Sequence, residues 1–289
     1  MTDPKGKSKM QLYLEGLDKL ESLKKRLSEF KNPSCKTAVS IEIEQIPETK
    51  KLIAELKLQK DEVLFSETCM TYLIEWILEK KYNRIKTFTS NQTDKGNITE
   101  QSGFQLIQEM VFEGAFLAKN QKFYYDDFKT GVPDVIHNKT VIDNKSSYTL
   151  FTFPIGETEI ESKNYEFQLD VYMDLVGVED SLLCFTLNDT PYSIIEDEIR
   201  SLAYRKYRDT MEVPDQEAYE IVKNHCFTLE GLRERKALYG NADTSDFVEI
   251  PKHKRIIAFP KKKNQDNIDR LHKRVLECRD WINANWHKF

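Results

Sequence analysis

The spacing of hydrophobic positions predicts helices in the first part of the chain. Leucines three and four residues apart predict a charged helix over residues 7–31. A second helix is expected over residues 66–82, with Ser66 as its N-cap. Residues 90–97 have the composition of a loop, and a third helix is expected over residues 98–118.

Strand patterns are found at several places between and after these helices. Residues 37–46 alternate between apolar and polar side chains, whereas residues 48–62 fit either a helix or an extended segment. Residues 131–147 predict a short β-hairpin, and residues 181–189 predict a buried strand. Residues 247–263 fit a strand or a further hairpin.

Helical patterns separate and follow the strands. A helix is expected over residues 164–178, residues 194–240 are mostly helical in pattern, and a final helix is expected over residues 264–284. This order predicts an α/β fold with a central mixed β-sheet of four or five strands flanked by helices. Helical additions are expected at both termini.

The pattern suggests three divisions of the chain. Residues 1–63 form an N-terminal helical or extended addition, and residues 64–190 form the core. Residues 191–289 form a mostly helical extension with a basic strand, expected to pack on the core. The end of this extension, residues 251–289, has 11 Lys and Arg against 4 Asp and Glu. A local basic surface is therefore expected in a chain whose net charge is −5.

Composition excludes several classes of protein. With 289 residues and 39% hydrophobic side chains, the chain can bury a core, yet it has no apolar run of about 18 residues to span a membrane. Its N-terminus lacks the apolar stretch of a signal peptide. Its five cysteines form no CxxC pair, which argues against an iron–sulfur cluster, a zinc ribbon or a disulfide framework. A cytoplasmic location is expected.

The predicted hairpin carries the most informative chemistry. If Asn138 and Lys139 form a two-residue turn, Asp134 lies opposite Asp143 on the neighbouring strand. Lys145 shares a face with Asp143, because side chains alternate along a strand. Two facing carboxylates repel each other unless a cation lies between them. We therefore expect a Mg²⁺ site, since Mg²⁺ prefers oxygen ligands. The alternative is a surface hairpin in which Lys145 neutralises two solvated acids.

These residues resemble a known nuclease superfamily. Pro133 and Asp134 followed by Asp143-Asn144-Lys145 have the form PD…DxK. This pattern is similar to that of the PD-(D/E)XK nucleases, and the resemblance implies a restriction-endonuclease-like core. Gln168 and Tyr172 match the QxxxY motif of the RecB-like and lambda-exonuclease-like branch, and Glu100 matches the acid on its upstream helix. The resemblance covers residues 64–190 well and the last third more loosely, and it is closest to phage-encoded members.

The resemblance implies a set of metal ligands. Glu100 would bind the metal or orient its water shell, and Asp134 would bridge the metal ions. Asp143 would be the second direct ligand, and the backbone carbonyl of Asn144 would add a third. Other acids compete with Glu100 for its role, each of which is also an ordinary helix-surface residue: Glu67, Glu109 and Glu113.

The resemblance also implies roles for three other polar side chains. Lys145 would orient or deprotonate the attacking water. Gln168 and Tyr172 would position the DNA strand or the side chains of the site. Since these two are four residues apart, they share one helix face, and packing of the helix is the alternative explanation.

Basic side chains outside the hairpin are candidates for contact with DNA phosphates. Arg84 follows a cluster of lysines around Tyr82, and Lys254 and Arg255 belong to the basic C-terminal segment. A solvated basic surface is the alternative for all three.

The expected function is that of a metal-dependent deoxyribonuclease, an exonuclease in phage DNA recombination or processing. Mg²⁺ is the expected cofactor, with Mn²⁺ as a substitute. No iron–sulfur cluster is expected, because the chain lacks a cysteine cluster, and no bound nucleotide is expected, because it has no P-loop motif. The expected partners are DNA and a single-strand annealing or other recombination protein, while homo-oligomerisation stays open. The alternatives are a non-catalytic DNA-binding or assembly protein on a nuclease-like scaffold, and a restriction- or repair-type endonuclease.

Overall fold

A computed structural model describes residues 9–29, 45–52, 65–87 and 90–289. The chain forms two compact units. The smaller unit takes in Met1–Lys86 and Lys273–Phe289, and the larger unit takes in Thr87–His272. Among the described residues, no helix is long and apolar enough to cross a membrane.

The described part of the smaller unit is helical. It contains α1 (Lys9–Glu29), α2 (residues 45–52), α3 (Glu67–Tyr82) and the second half of α10 (Gln265–Asn285). Ser66 caps α3 as expected, because its hydroxyl accepts a hydrogen bond from the Cys69 backbone N–H over 3.2 Å. Of the strand expected over residues 37–46, residues 37–44 lie outside the described residues and the last two belong to α2.

The larger unit is built around a mixed sheet of four strands. These are β3 (Val135–His137), β4 (Thr140–Ser146), β5 (Asp180–Thr186) and β6 (Ile256–Lys262), in that order across the sheet. The β3–β4 and β5–β6 pairs are antiparallel, whereas β4 and β5 are parallel. The predicted α/β fold with a mixed sheet is therefore confirmed.

Two helices cover the two faces of the sheet. Helix α5 (Lys163–Val176) connects the parallel strands β4 and β5, which require such a crossover. Its Leu169 and Met173 pack on the face that carries Val141 and Leu183. On the opposite face, α4 (Asn91–Val111) contributes Phe104 and Ile107, which pack against Val135, Ile142 and Cys184. Alternation along β4 therefore points Asp143 and Lys145 toward the α5 face and Asn144 toward α4.

The start of α4 differs from the sequence expectation. Residues 91–97 are helical rather than a loop, because Ser90 accepts a hydrogen bond from the Thr93 backbone N–H over 3.2 Å and so acts as an N-cap. The helix ends at Val111, earlier than expected, where Glu113 and Gly114 adopt positive φ angles. The cap outweighs the loop-like composition of this segment.

The remaining elements of the larger unit lie after β5 or before β3. The segment after β5 is mostly helical, as expected, with α6 (Tyr192–Lys206), α7 (Asp215–His225), α8 (Leu229–Glu234) and α9 (Lys236–Tyr239). A small antiparallel ribbon, β1 (Tyr124–Tyr125) and β2 (Thr130–Gly131), precedes the hairpin. No pattern in the sequence predicted this ribbon.

Candidate active site

The hairpin forms in the predicted register. Asn138 and Lys139 both have positive φ angles, 47° and 64°, as a tight hairpin turn requires. Val135 pairs with Ile142, so Asp134 enters the hairpin beside Asp143. The carboxylate of Asp134 then accepts a hydrogen bond from the Asn144 backbone N–H over 2.8 Å. This bond holds the Asp134 carboxylate against the backbone next to Asp143.

Asp143 is a buried acid with a lysine beside it. Its side chain is almost fully buried, and Lys145 Nζ lies 2.7 Å from its Oδ2 as an ion pair. Apart from Lys145, this oxygen has no polar partner among the described residues. Burial raises the pKa of Asp143, and the positive charge of Lys145 offsets only part of that rise.

The pKa of Asp134 is strongly affected by burial and by the charges around it. Burial, followed by the negative charge of Asp143, raises the pKa of Asp134 to about 6. The charge of Glu100 acts in the same direction, whereas the Asn144 N–H and Lys145 act against it. Glu100, Asp134, Asp143 and Lys145 therefore form one electrostatic cluster.

Glu100 reaches this cluster from α4 and has its own lysine partner. Lys119 Nζ makes a close ion pair with the Glu100 carboxylate. Lys119 also forms a β-bridge with Val135, at the start of the hairpin. Lys119 was not predicted from the sequence, because it lies in an irregular segment and its partner Glu100 is 19 residues away. No spacing pattern along the chain could have identified it.

Asn144 joins the hairpin to α4. Its side-chain oxygen accepts a hydrogen bond from the Thr186 hydroxyl over 2.9 Å, on the face opposite to Asp143. A Cβ atom added at Gly103 would lie 2.2 Å from Asn144 Nδ2. Only glycine lets α4 approach β4 this closely. Gly103 is less than one turn from Glu100, so this close contact also positions Glu100.

Gln168 and Tyr172 lie on the face of α5 that borders the cluster. Gln168 Nε2 donates a hydrogen bond to the Tyr172 hydroxyl over 2.9 Å. Burial raises the pKa of Tyr172, and the charges of Asp143 and Asp134 contribute to this rise. On the same helix, the ring of Tyr165 lies 5.2 Å from Lys145 Nζ, a cation–π contact that the sequence analysis did not predict.

The three basic residues proposed for DNA contact are divided between the two units. Arg84 is exposed after the end of α3, in the smaller unit. Lys254 and Arg255 lie in the larger unit, just before β6; Lys254 is exposed and Arg255 is half-buried. All the residues expected to act in catalysis lie in the larger unit, between Thr87 and His272.

A second group of side chains in the larger unit could also hold a metal ion. Ligand atoms of Asp126, Asp174 and His272 lie within 4.8 Å of one another. However, the buried ammonium group of Lys129 lies among them, 2.9 Å from Asp174 and 3.1 Å from His272 Nε2. This lysine supplies the positive charge that a metal ion would otherwise supply. Because Lys145 and Lys119 likewise pair with Asp143 and Glu100, both groups of acids are candidates for a metal site.

Comparisons with known proteins give structural neighbours. No family model matches the chain, and no curated protein matches it in sequence. A phage-related exonuclease from Haemophilus somnus 129PT is similar in structure, with a TM-score of 0.58 and 19% identity over 80% of this chain and 88% of that one. An alkaline exonuclease from Laribacter hongkongensis aligns with a TM-score of 0.47 and 9% identity, over 78% and 85% of the two chains. The first of these comparisons shows a shared fold.

Proposed function

We propose that the protein is a metal-dependent deoxyribonuclease that hydrolyses phosphodiester bonds in DNA. The observation that carries this proposal is the pairing of Asp134 with Asp143 beside Lys145. The Asn144 N–H ties one acid to the strand of the other, and burial raises the pKa of both carboxyl groups. Two buried and adjacent carboxylates cost folding free energy, and groups with such perturbed pKa values cluster at sites of binding or chemistry.

The chemistry of these side chains fits a divalent metal ion. The ligand set would be the carboxylates of Asp134, Asp143 and Glu100 with the backbone carbonyl of Asn144, all of which are oxygen donors. Oxygen ligands suit Mg²⁺, with Mn²⁺ as a substitute. Asp143 Oδ2, whose only polar partner among the described residues is the Lys145 ammonium group, fits this role. When bound, the metal would polarise the phosphate and favour ionisation of the attacking water.

Lys145 would act as a cation beside the reacting phosphate. Burial lowers its pKa, but Asp143 and Asp134 together more than offset this, so the pKa of Lys145 is raised. A charged ammonium group donates hydrogen bonds and does not accept a proton. Of the two roles that the motif suggests, orienting the water or a phosphate oxygen is therefore favoured over deprotonation.

Gln168, Tyr172 and Lys119 would complete the site. The hydrogen bond between Gln168 and Tyr172 holds both polar groups at the border of the cluster, where they could position the DNA strand. Lys119 neutralises Glu100 and places a second ammonium group at the edge of the site.

The finer parts of the proposal rest on the motif and on the shared fold. The similar structure from Haemophilus somnus is described as a phage-related exonuclease, and this supports an exonuclease role in phage DNA recombination or processing. DNA would be the substrate, a single-strand annealing or other recombination protein would be a partner, and the cytoplasm would be the location. Arg84, Lys254 and Arg255 remain candidates for phosphate contacts.

Digestion of end-labelled linear DNA and of circular DNA, each with Mg²⁺ or with EDTA, tests this function. We expect Mg²⁺-dependent loss of linear DNA and persistence of the circle. The Asp143→Asn variant, which keeps shape but removes a charged ligand, should cut at least about 10²-fold more slowly. Cutting of the circle would indicate an endonuclease. DNA binding without any cutting would support the non-catalytic alternative.

A further inference from the structure

Two exposed aromatic rings lie on the segment that leads into the candidate active site. The side chains of Phe123 and Tyr125 are 55% and 75% exposed. Their ring centroids are 6.0 Å apart and their planes are tilted by 30°. Because they are two residues apart on an extended chain, they share one face of the β1–β2 ribbon. We call Phe123 and Tyr125 the aromatic pair.

The segment that carries the aromatic pair is fixed to the hairpin that holds Asp134. The backbone N–H of Asn120 donates to the Asp134 carbonyl over 2.8 Å, and the Asn120 side chain donates to the Pro133 carbonyl over 2.9 Å. The same side chain binds the Lys122 backbone at both its N–H and its carbonyl. Asn120 therefore holds the start of the ribbon in place next to the proposed metal ligand.

The other strand of the ribbon contacts the other side of the site. Tyr124 pairs with Gly131, and a Cβ atom added at Gly131 would lie 2.5 Å from the ring of Tyr172. The ribbon therefore packs directly on the Tyr172 ring, which hydrogen-bonds to Gln168. Through these contacts the ribbon that carries the aromatic pair is joined to both the hairpin and the α5 side of the candidate active site.

Basic side chains accompany the aromatic pair. Lys119 is half-exposed at the edge of the site, and Lys122 is exposed, with its Nζ 4.5 Å from the ring of Tyr124. Ammonium groups beside exposed aromatic rings match a single nucleic-acid strand, which presents phosphates along its backbone and the flat faces of its bases. In a duplex these faces are stacked on one another, so the rings could stack only on an unpaired base.

We propose that Phe123 and Tyr125 form a stacking platform for an unpaired nucleotide of the DNA strand that enters the active site. The inference rests on the proposed nuclease function and specifies its substrate as DNA with an unpaired end. Lys119 and Lys122 bind the phosphates of the same strand.

A thermodynamic cycle between the rings and the bases tests the platform. Binding of full-length protein to a fluorescein-labelled duplex with a single-stranded tail is measured in Ca²⁺, alongside the same DNA with abasic tail nucleotides. The wild type and the Phe123→Leu/Tyr125→Leu variant are compared, since leucine keeps an apolar side chain but removes the ring. Thermal melting checks that the variant is folded. Tyr204→Ala is the matched control, because it removes an exposed aromatic ring from α6.

If the rings stack on a base, the loss of affinity on removing the rings should depend on whether the base is present. The wild type should lose about tenfold or more in affinity when the tail is abasic, the scale of one stacked base. The double variant should bind the normal tail about tenfold more weakly than the wild type and should not distinguish it from the abasic tail. Tyr204→Ala should behave as the wild type.

Other outcomes overturn the proposal. If the abasic tail weakens DNA affinity by the same factor in the wild type and in the double variant, stacking is excluded. If, in addition, the double variant changes from oligomer to monomer in sedimentation, the aromatic pair is a contact between copies of the chain. A wild type that cuts DNA without ring–base coupling refutes the platform alone, whereas a wild type that neither binds nor cuts DNA refutes the proposed function as well.

Discussion

The backbone N–H of Asn144 donates a hydrogen bond to the side chain of Asp134 over 2.8 Å. This bond crosses the hairpin and holds the Asp134 carboxylate beside β4, between the positions of Asp143 and Lys145. It also opposes the rise in the pKa of Asp134, without overcoming the effects of burial and of Asp143. The site therefore keeps two acids close together at a cost in stability, and this cost can be measured.

Replacing Asp134 by Asn should stabilise the metal-free protein. The pKa of Asp134 rises from 3.8 to about 6 on folding, so the folded state binds more protons than the unfolded state between these pH values. Stability is therefore lost as pH rises through this window, and at pH 7 in EDTA Asp134→Asn should be more stable by about 1–3 kcal/mol. Urea unfolding at pH 7 and below pH 4 measures this, and the difference should disappear at the lower pH.

Mg²⁺ should reverse this order of stability, so that the wild type becomes more stable than Asp134→Asn. Binding to the folded state alone raises the stability of the wild type, whereas Asp134→Asn should gain much less. Should the variant gain as much as the wild type, the ion binds elsewhere, and the Asp126, Asp174 and His272 group becomes the first alternative.

Removing Lys145 should affect chemistry more than binding. Lys145→Ala leaves the carboxylates of the proposed metal site in place, so DNA affinity in Ca²⁺ should stay within about tenfold, or about 1.4 kcal/mol. Single-turnover cleavage in Mg²⁺ should fall by about 10²-fold or more. Lys262→Ala is the control, because Lys262 is an exposed lysine on β6 that pairs with Asp180. If Lys145→Ala loses DNA binding but cleaves bound DNA at the normal rate, Lys145 binds a phosphate group and does not act in the chemistry.

Two glycines of α4 should respond in opposite ways to substitution by alanine. At Gly103 the added methyl group would overlap Asn144, so Gly103→Ala should destabilise the protein by about 1–3 kcal/mol and slow cleavage by displacing β4 or Glu100. At Gly96 no described atom lies within 4 Å of the added carbon, apart from the adjacent residues and the backbone of the same helix. Gly96→Ala should therefore stabilise the helix by about 0.5–1 kcal/mol. Denaturant unfolding and cleavage assays of both variants measure this, and equal effects would contradict the close packing of α4 on β4.

Lys95 should make the stability of the protein depend on pH. Its ammonium group is fully buried in α4 and donates a hydrogen bond to the Tyr148 carbonyl over 2.9 Å. Burial lowers its pKa from 10.5 to about 7, although Asp189 and other neighbouring charges oppose this. Between these values the unfolded state binds more protons, so stability should rise with pH by up to about 1.4 kcal/mol per pH unit relative to Lys95→Met. Unfolding curves at pH 7, 8 and 9 would show this slope, and a flat difference would mean that Lys95 is charged in the fold.

Local patterns predicted the hairpin register and one helix face correctly. The hairpin register follows from two turn residues and the period of two along a strand, both of which act over a few residues. The four-residue spacing of Gln168 and Tyr172 likewise places them on one face of α5, where they form a hydrogen bond. The predicted start of α4 was wrong, because the cap at Ser90 outweighs the polar and glycine-containing composition that follows it.

The sequence by itself determined the α/β class, the hairpin and the shared face of Asp143 and Lys145, because these depend on periodicity and on short-range turn geometry. Only the tertiary structure decided that Lys119 pairs with Glu100, that Lys129 neutralises Asp174, and that the β1–β2 ribbon packs on Tyr172. These contacts join residues from 19 to 45 positions apart, through irregular segments that have no repeating pattern. Such contacts depend on how the elements pack in three dimensions, which no local pattern along the chain records.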